Sequence, residues 1–183
     1  MRYRWWLFSA IFLFVIGIVI GMLPFSAITG FSAEGIATIE QFGDILTSLP
    51  APVIALVIFM KNVSALLLSF ALSPLLCLVP VLALTVNGLL LSSLSTVVAQ
   101  EESLGFVLTG LLPHGVFELP ALVIGEAAAL SFGAAAMLAI FRRREREFLL
   151  PNLKQNLKYL LLAIGLLIPA AIIEAYVTPL LLA

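Results

Sequence analysis

The chain is a succession of apolar runs, each at least about as long as a bilayer is thick. Trp5 to Leu23 carries no charged residue. Ala51 to Leu72, Leu75 to Val98, Leu104 to Phe141 and Asn156 to Leu182 follow it with very few. A helix needs roughly 20 apolar residues to cross about 30 Å of hydrocarbon, and in that medium it must satisfy its own backbone hydrogen bonds. The expected fold is therefore all-α: a polytopic transmembrane bundle of about five crossings, with spans near 5–23, 51–72, 75–98, 104–141 and 156–182. Residues 1–183 read as one membrane domain. Only 10% of the chain is charged and its mean hydropathy is +1.23. Soluble domains carry about a quarter charged residues, so a soluble fold is excluded.

Details of the runs refine this picture. Arg2 and Arg4 precede the first run, as basic residues also precede a cleaved signal core, but this run is longer than such a core. An uncleaved first span is expected, with Trp5 and Trp6 at the membrane interface. Between 25 and 50, Ile36, Ile39, Phe42, Gly43 and Leu46 recur at helical spacing while Glu34, Glu40 and Asp44 take other positions. That pattern fits an external amphipathic helix capping the bundle. Pro113 divides the fourth run, because proline lacks the backbone donor of a continuous helix. Leu104 to Leu112 is then expected to be a broken segment, either re-entrant or interfacial, ahead of the fourth crossing.

Charge distribution sets an expected orientation. Eight of the nine basic residues flank the runs, and an odd number of crossings gathers all eight on one face. Arg2 and Arg4 share that face with Arg142, Arg143, Arg144, Arg146, Lys154 and Lys158. Glu34, Glu40, Asp44, Glu101 and Glu102 fall on the other. The positive-inside rule places the basic face, and so the N-terminus, in the cytoplasm of a plasma-membrane protein, with the C-terminus outside. The Arg142–Arg146 run reads as a topological anchor, or as a docking patch for anionic headgroups or a cytoplasmic partner. A net charge of −1 gives no reason to expect a nucleic-acid partner. Cys77 is the only cysteine, so neither an intrachain disulfide nor a thiolate metal cluster can form.

Five ionisable side chains lie inside the runs: Lys61, His114, Glu118, Glu126 and Glu174. Each costs a few kcal/mol in hydrocarbon, about 2.5–3.5 for a charged group at a helix centre, and so needs a partner, a cavity or a task. His114 and Glu118, four apart, share a helix face. With Glu174, and with Asn62 and Asn87 as further oxygen donors, they form a candidate site for a divalent cation or a proton. Pro113, Pro120 and Pro169 each free a backbone carbonyl one turn earlier, a device found at ion sites in broken membrane helices. Glu126 pairs either with this group or with Lys61. The alternative is a polar network that merely fixes helix packing, at about 0.6 kcal/mol per interhelical contact. Ser64, Ser69, Ser92, Ser93 and Ser95 are available as nucleophiles, but no G-x-S-x-G elbow or H-E-x-x-H motif is present. Gly17 and Gly21 form a G-x-x-x-G pair, a close-packing face within the chain or between two copies in a homodimer.

The stretch Leu112-Pro113-His114-Gly115-Val116-Phe117-Glu118-Leu119-Pro120-Ala121 resembles the signature LPHG-x-FELPA of the stage II sporulation protein M (SpoIIM) family. Asn87-Gly88 in the preceding span and the Ala171–Pro179 stretch containing Glu174 agree with the family in order and spacing. The resemblance implies a polytopic membrane protein. It also implies a non-enzymatic anchor or assembly subunit, since the family's name-giving member works with peptidoglycan-degrading partners at the septum of endospore formers. The expected partners are then the lipid bilayer and other membrane or envelope proteins. A cation transporter or channel using the same His/Glu group is the alternative, and an intramembrane hydrolase a third.

Overall fold

The computed structural model describes residues 3–23, 49–142 and 146–182. Six helices account for its regular structure: α1 (Tyr3–Gly21), α2 (Ala51–Leu72), α3 (Leu78–Glu101), α4 (Leu104–Phe141), α5 (Arg146–Tyr176) and the short α6 (Thr178–Leu182). The first five are long and apolar enough to cross a membrane. The chain is thus an all-α, multi-pass membrane protein. The expected external amphipathic helix falls on 24–48, outside the described residues, as do Arg2, Arg143 and Arg144.

Residue pairings fix the direction of each helix. Gly17 and Gly21 face Thr85 and Leu89, so α1 and α3 run the same way. Asn62 meets Glu118 and Ser69 meets Glu126, so α2 and α4 are parallel too. Ser131 meets Asn156 while His114 and Glu118 meet Glu174, which makes α4 and α5 antiparallel. Cys77 lies by Leu130 and Leu94 shares a groove with His114, so α3 opposes α4. Each of the five long helices therefore runs opposite to its predecessor, as successive crossings require.

α4 is the hub, packed against α1, α2, α3 and α5. Its small residues explain the position. Ala121, Ala128 and Ala129 join Leu66 and Phe70 of α2 and Leu160, Ala163 and Leu167 of α5 in one cluster. Ala127 and Leu130 turn the other way, onto Ala10 and Phe14 of α1 and Leu84 of α3. Lipid tails are as apolar as leucine, so helices in a bilayer associate through close packing, and short side chains permit it. The α1–α3 crossing carries this furthest. A Cβ at Gly17, Gly21 or Gly88 would overlap the backbone of the facing helix. The G-x-x-x-G face is thus occupied within the chain.

Two expectations are corrected. No break occurs at Pro113: α4 is one helix through Pro113 and Pro120, so 104–112 is not a separate broken segment. Each proline removes a single backbone bond, and in a water-poor interior no solvent competes for the rest. Ser103 fixes the start, its Oγ accepting from the Phe106 amide at 3.1 Å. At 38 residues α4 is about 57 Å long, well beyond one bilayer core. The fifth helix likewise starts at Arg146 and not near 156, with Pro151 and Pro169 inside it. Between α2 and α3, Ser73–Cys77 reverse the chain through left-handed residues Leu76 (φ 57) and Cys77 (φ 54).

Candidate functional site

Continuity of α4 through Pro113 puts His114 and Glu118 one turn apart on the same face. His114 Nε2 lies 3.9 Å from Glu118 Oε2, beyond hydrogen-bond length. The antiparallel partner α5 brings in Glu174, and one ligand atom from each of the three lies within 4.8 Å of the others. Two ligands bound at about 2.1 Å around a tetrahedral ion stand about 3.4 Å apart, so a small contraction would let the three share a cation. Asn62 of α2 donates from Nδ2 to Glu118 Oε1 at 3.1 Å. That bond holds the carboxylate from behind, as outer-shell partners hold metal ligands. His114 Nδ1 is buried and has no hydrogen-bond partner, so one polar atom of the cluster is unsatisfied.

The cluster opens on a cavity of about 320 Å³ between α2, α3 and α4, lined among others by Lys61, Asn87 and Glu126. Not every expected member joins the cluster. Asn87 reaches the cavity wall but donates to its own helix, at the Ala83 carbonyl, 2.7 Å away. Lys61 also lines the cavity, and no carboxylate among the described residues comes within ion-pairing distance of it. The Glu126–Lys61 pairing is therefore not formed. Glu126 is 1% exposed and instead accepts from the Ser69 hydroxyl at 2.5 Å. Pro113, Pro120 and Pro169 free the carbonyls of Thr109, Val116 and Gly165, none of which lines the cavity. Gly115 does line it, and the missing side chain leaves room there.

Sequence reasoning passed over Ser69 as a partner and missed Asn152 and Asn156 altogether. Asn156 is 1% exposed and donates from Nδ2 to Ser131 Oγ at 3.1 Å and to Asn152 Oδ1 at 2.8 Å. A signal existed for Ser69, which stands seven residues after Asn62 and so on the same face of α2. Asn152 and Asn156 lay at the polar fringe of an apolar run, where amides are unremarkable.

One histidine nitrogen and two carboxylates suit a borderline divalent ion such as Mn²⁺ or Zn²⁺. Two of the three, His114 and Glu118, line the cavity beside α3. A comparison with curated proteins finds an uncharacterized protein of Methanocaldococcus jannaschii, 33% identical over 92 residues. The aligned part is 50% of each protein, so the chain spans about half the length of the curated relative it matches. No solved structure matches. The model of the Stage II sporulation protein M family matches residues 10–179, nearly the whole chain and all of the cluster. This chain belongs to the SpoIIM family.

Proposed function

We propose that the protein is a non-enzymatic membrane anchor or assembly protein in which a divalent cation, held by His114, Glu118 and Glu174, ties α4 to α5. The observation that carries this reading is the convergence of three ligand groups from two antiparallel helices, with Asn62 steadying one of them. The cation neutralises two carboxylates that would otherwise repel each other in a medium of low dielectric. Family membership supports the assembly role, with other envelope proteins as partners. Arg4, Arg142, Arg146, Lys154 and Lys158 favour a cytoplasmic N-terminus in the plasma membrane.

The test is thermal. A ligand that binds only the folded state raises Tm with its concentration. Detergent-purified protein stripped with EDTA is titrated with Mn²⁺ or Zn²⁺. The expected result is a saturable rise in Tm that His114→Ala and Glu174→Gln each abolish. A flat response of the unaltered protein to both metals overturns the cation site.

A further inference from the structure

The Tyr3 ring of α1 stacks on the Tyr159 ring of α5, with centroids 3.5 Å apart and planes 7° from parallel. α1 and α5 run the same way. Successive residues of a helix turn by about 100°, so the residue after Tyr3 and the residue before Tyr159 face the same side of the stack. Those residues are Arg4 and Lys158, both exposed. Lys154, also exposed, stands one turn before Lys158 on the same face of α5. The two lysines line a groove of about 580 Å³ with Pro151, Gln155 and Tyr159.

The groove sits where the bundle meets the headgroup layer. Asn156 of α5 donates to Ser131 Oγ, and the adjacent Leu130 carbonyl accepts from Cys77 in the turn between α2 and α3. Lys154 and Lys158 lie two residues to either side of Asn156, about 3 Å along the axis, so both stand near the level of that turn. There the apolar spans end and lipid headgroups begin. Arg4 holds its guanidinium over the Trp5 ring, 5.7 Å from the centroid, as suits a residue anchored at the interface. Among the described residues no carboxylate pairs with Arg4, Lys154 or Lys158. Glu147, the nearest acid along α5, is seven residues from Lys154. That is about 10 Å along the axis, roughly one Debye length at 0.1 M salt. The three cations are left for an outside anion.

We propose that Lys154, Gln155 and Lys158 of α5, flanked by Arg4 of α1, bind an anionic phospholipid whose headgroup carries two phosphates, a diphosphatidylglycerol. Basic pockets at the ends of membrane helices are sites of this kind. The lysines rise from points about 6 Å apart along the helix, so each meets its own phosphate. Gln155 adds an amide donor for a phosphate or glycerol oxygen. Pro151 and Tyr159 give the groove apolar surface for the first carbons of the acyl chains. A solitary interfacial lysine holds any anion that passes. Two on one face, with a third cation beside them, favour anions that are tied together. Once one phosphate is seated, the second binds intramolecularly, at a high effective concentration. Lys158 is sixteen residues from Glu174, about 24 Å along α5, so this site goes beyond the cation reading and requires no metal.

The experiment titrates EDTA-treated, detergent-purified protein with lipid in mixed micelles and reads Tm. The expected result is a saturable rise with diphosphatidylglycerol. It should be half complete at a concentration at least about tenfold below that for phosphatidylglycerol, counted per phosphate. Phosphatidylcholine and inorganic phosphate should give no such rise. Lys158→Gln should raise the half-saturating concentration about fivefold, and the double variant Lys154→Gln, Lys158→Gln should abolish saturation. Both lysines are exposed, so these variants should keep the Tm of the lipid-free protein. Arg142→Gln removes a charge from the same end of the bundle but outside the groove, and should leave the titration unchanged. Four results each overturn the proposal: equal response to the two anionic lipids, reproduction by inorganic phosphate, survival in the double variant, or an equal loss in Arg142→Gln and Lys158→Gln. The double variant should still respond to Mn²⁺ or Zn²⁺ as the unaltered protein does, so each reading can fail without the other.

Discussion

The Asn62 amide of α2 donates to Glu118 Oε1 of α4 at 3.1 Å, so the ligand cluster shared by α4 and α5 is held in place by a third helix. Outer-shell partners of metal ligands change affinity by about 10–100-fold when removed. Asn62→Ala should therefore weaken Mn²⁺ or Zn²⁺ binding by about that factor while leaving the three ligands in place. A metal titration of Tm reads the shift directly. Affinity equal to that of the unaltered protein would show that Asn62 serves packing alone.

Ser69→Ala should be costly for its size. It deletes one hydroxyl but strands a carboxyl group that is 1% exposed. Leaving a buried polar group without its partner costs about 1–3 kcal/mol. Combining it with Glu126→Leu removes both partners, so the double variant should lose less than the sum of the singles, with a coupling of about 0.5–3 kcal/mol. Equilibrium unfolding in mixed detergent micelles measures all four corners of the cycle. Additive losses would mean that the 2.5 Å contact contributes nothing to stability.

Two glycines should respond in opposite directions to a larger side chain. At Gly88 a Cβ would overlap the Phe14 carbonyl, and the obstacle is backbone that cannot rotate away. Gly88→Leu must force α1 and α3 apart, at a cost of about 1–3 kcal/mol or more. At Gly165 nothing lies within 4 Å of a Cβ. Gly165→Ala should be neutral or stabilising by up to about 1 kcal/mol, through helix propensity. Melting temperatures of the two variants decide whether the close crossing is as tight as its geometry.

Much of this architecture was legible in the order of residues, because lipid allows few structures. Runs such as Ala51–Leu72 and Leu104–Phe141 declare themselves by length alone, and both are helices with those bounds. The His114–Glu118–Glu174 cluster was legible too, since ionisable residues in such runs are few. Two features were hidden for physical reasons. Proline signals a lost hydrogen bond but not whether the surroundings tolerate the loss, so Pro113 suggested a break where α4 continues. Partner choice was hidden as well. Lys61 and Glu126 are the obvious charge pair, yet their fate depends on helix rotation, which puts Ser69 beside Glu126 and turns Lys61 toward the cavity.

The turn between α2 and α3 offers a case in which removing a large apolar side chain should stabilise the protein. Leu76 has φ 57, a left-handed conformation in which the Cβ crowds the following carbonyl. That crowding costs a non-glycine residue roughly 1–2 kcal/mol. Leu76 is also 73% exposed, so its side chain contributes little packing in return. Leu76→Gly should relieve the strain and raise stability by about 0.5–1 kcal/mol, once the greater freedom of glycine in the unfolded chain is set against it. Leu82→Gly is the control, a half-exposed leucine inside α3 with ordinary helical geometry, and there the same change should cost about 1 kcal/mol. Thermal melts in one detergent compare the two. A loss at Leu76 as large as that at Leu82 would mean that contacts of the leucine side chain outweigh the backbone strain.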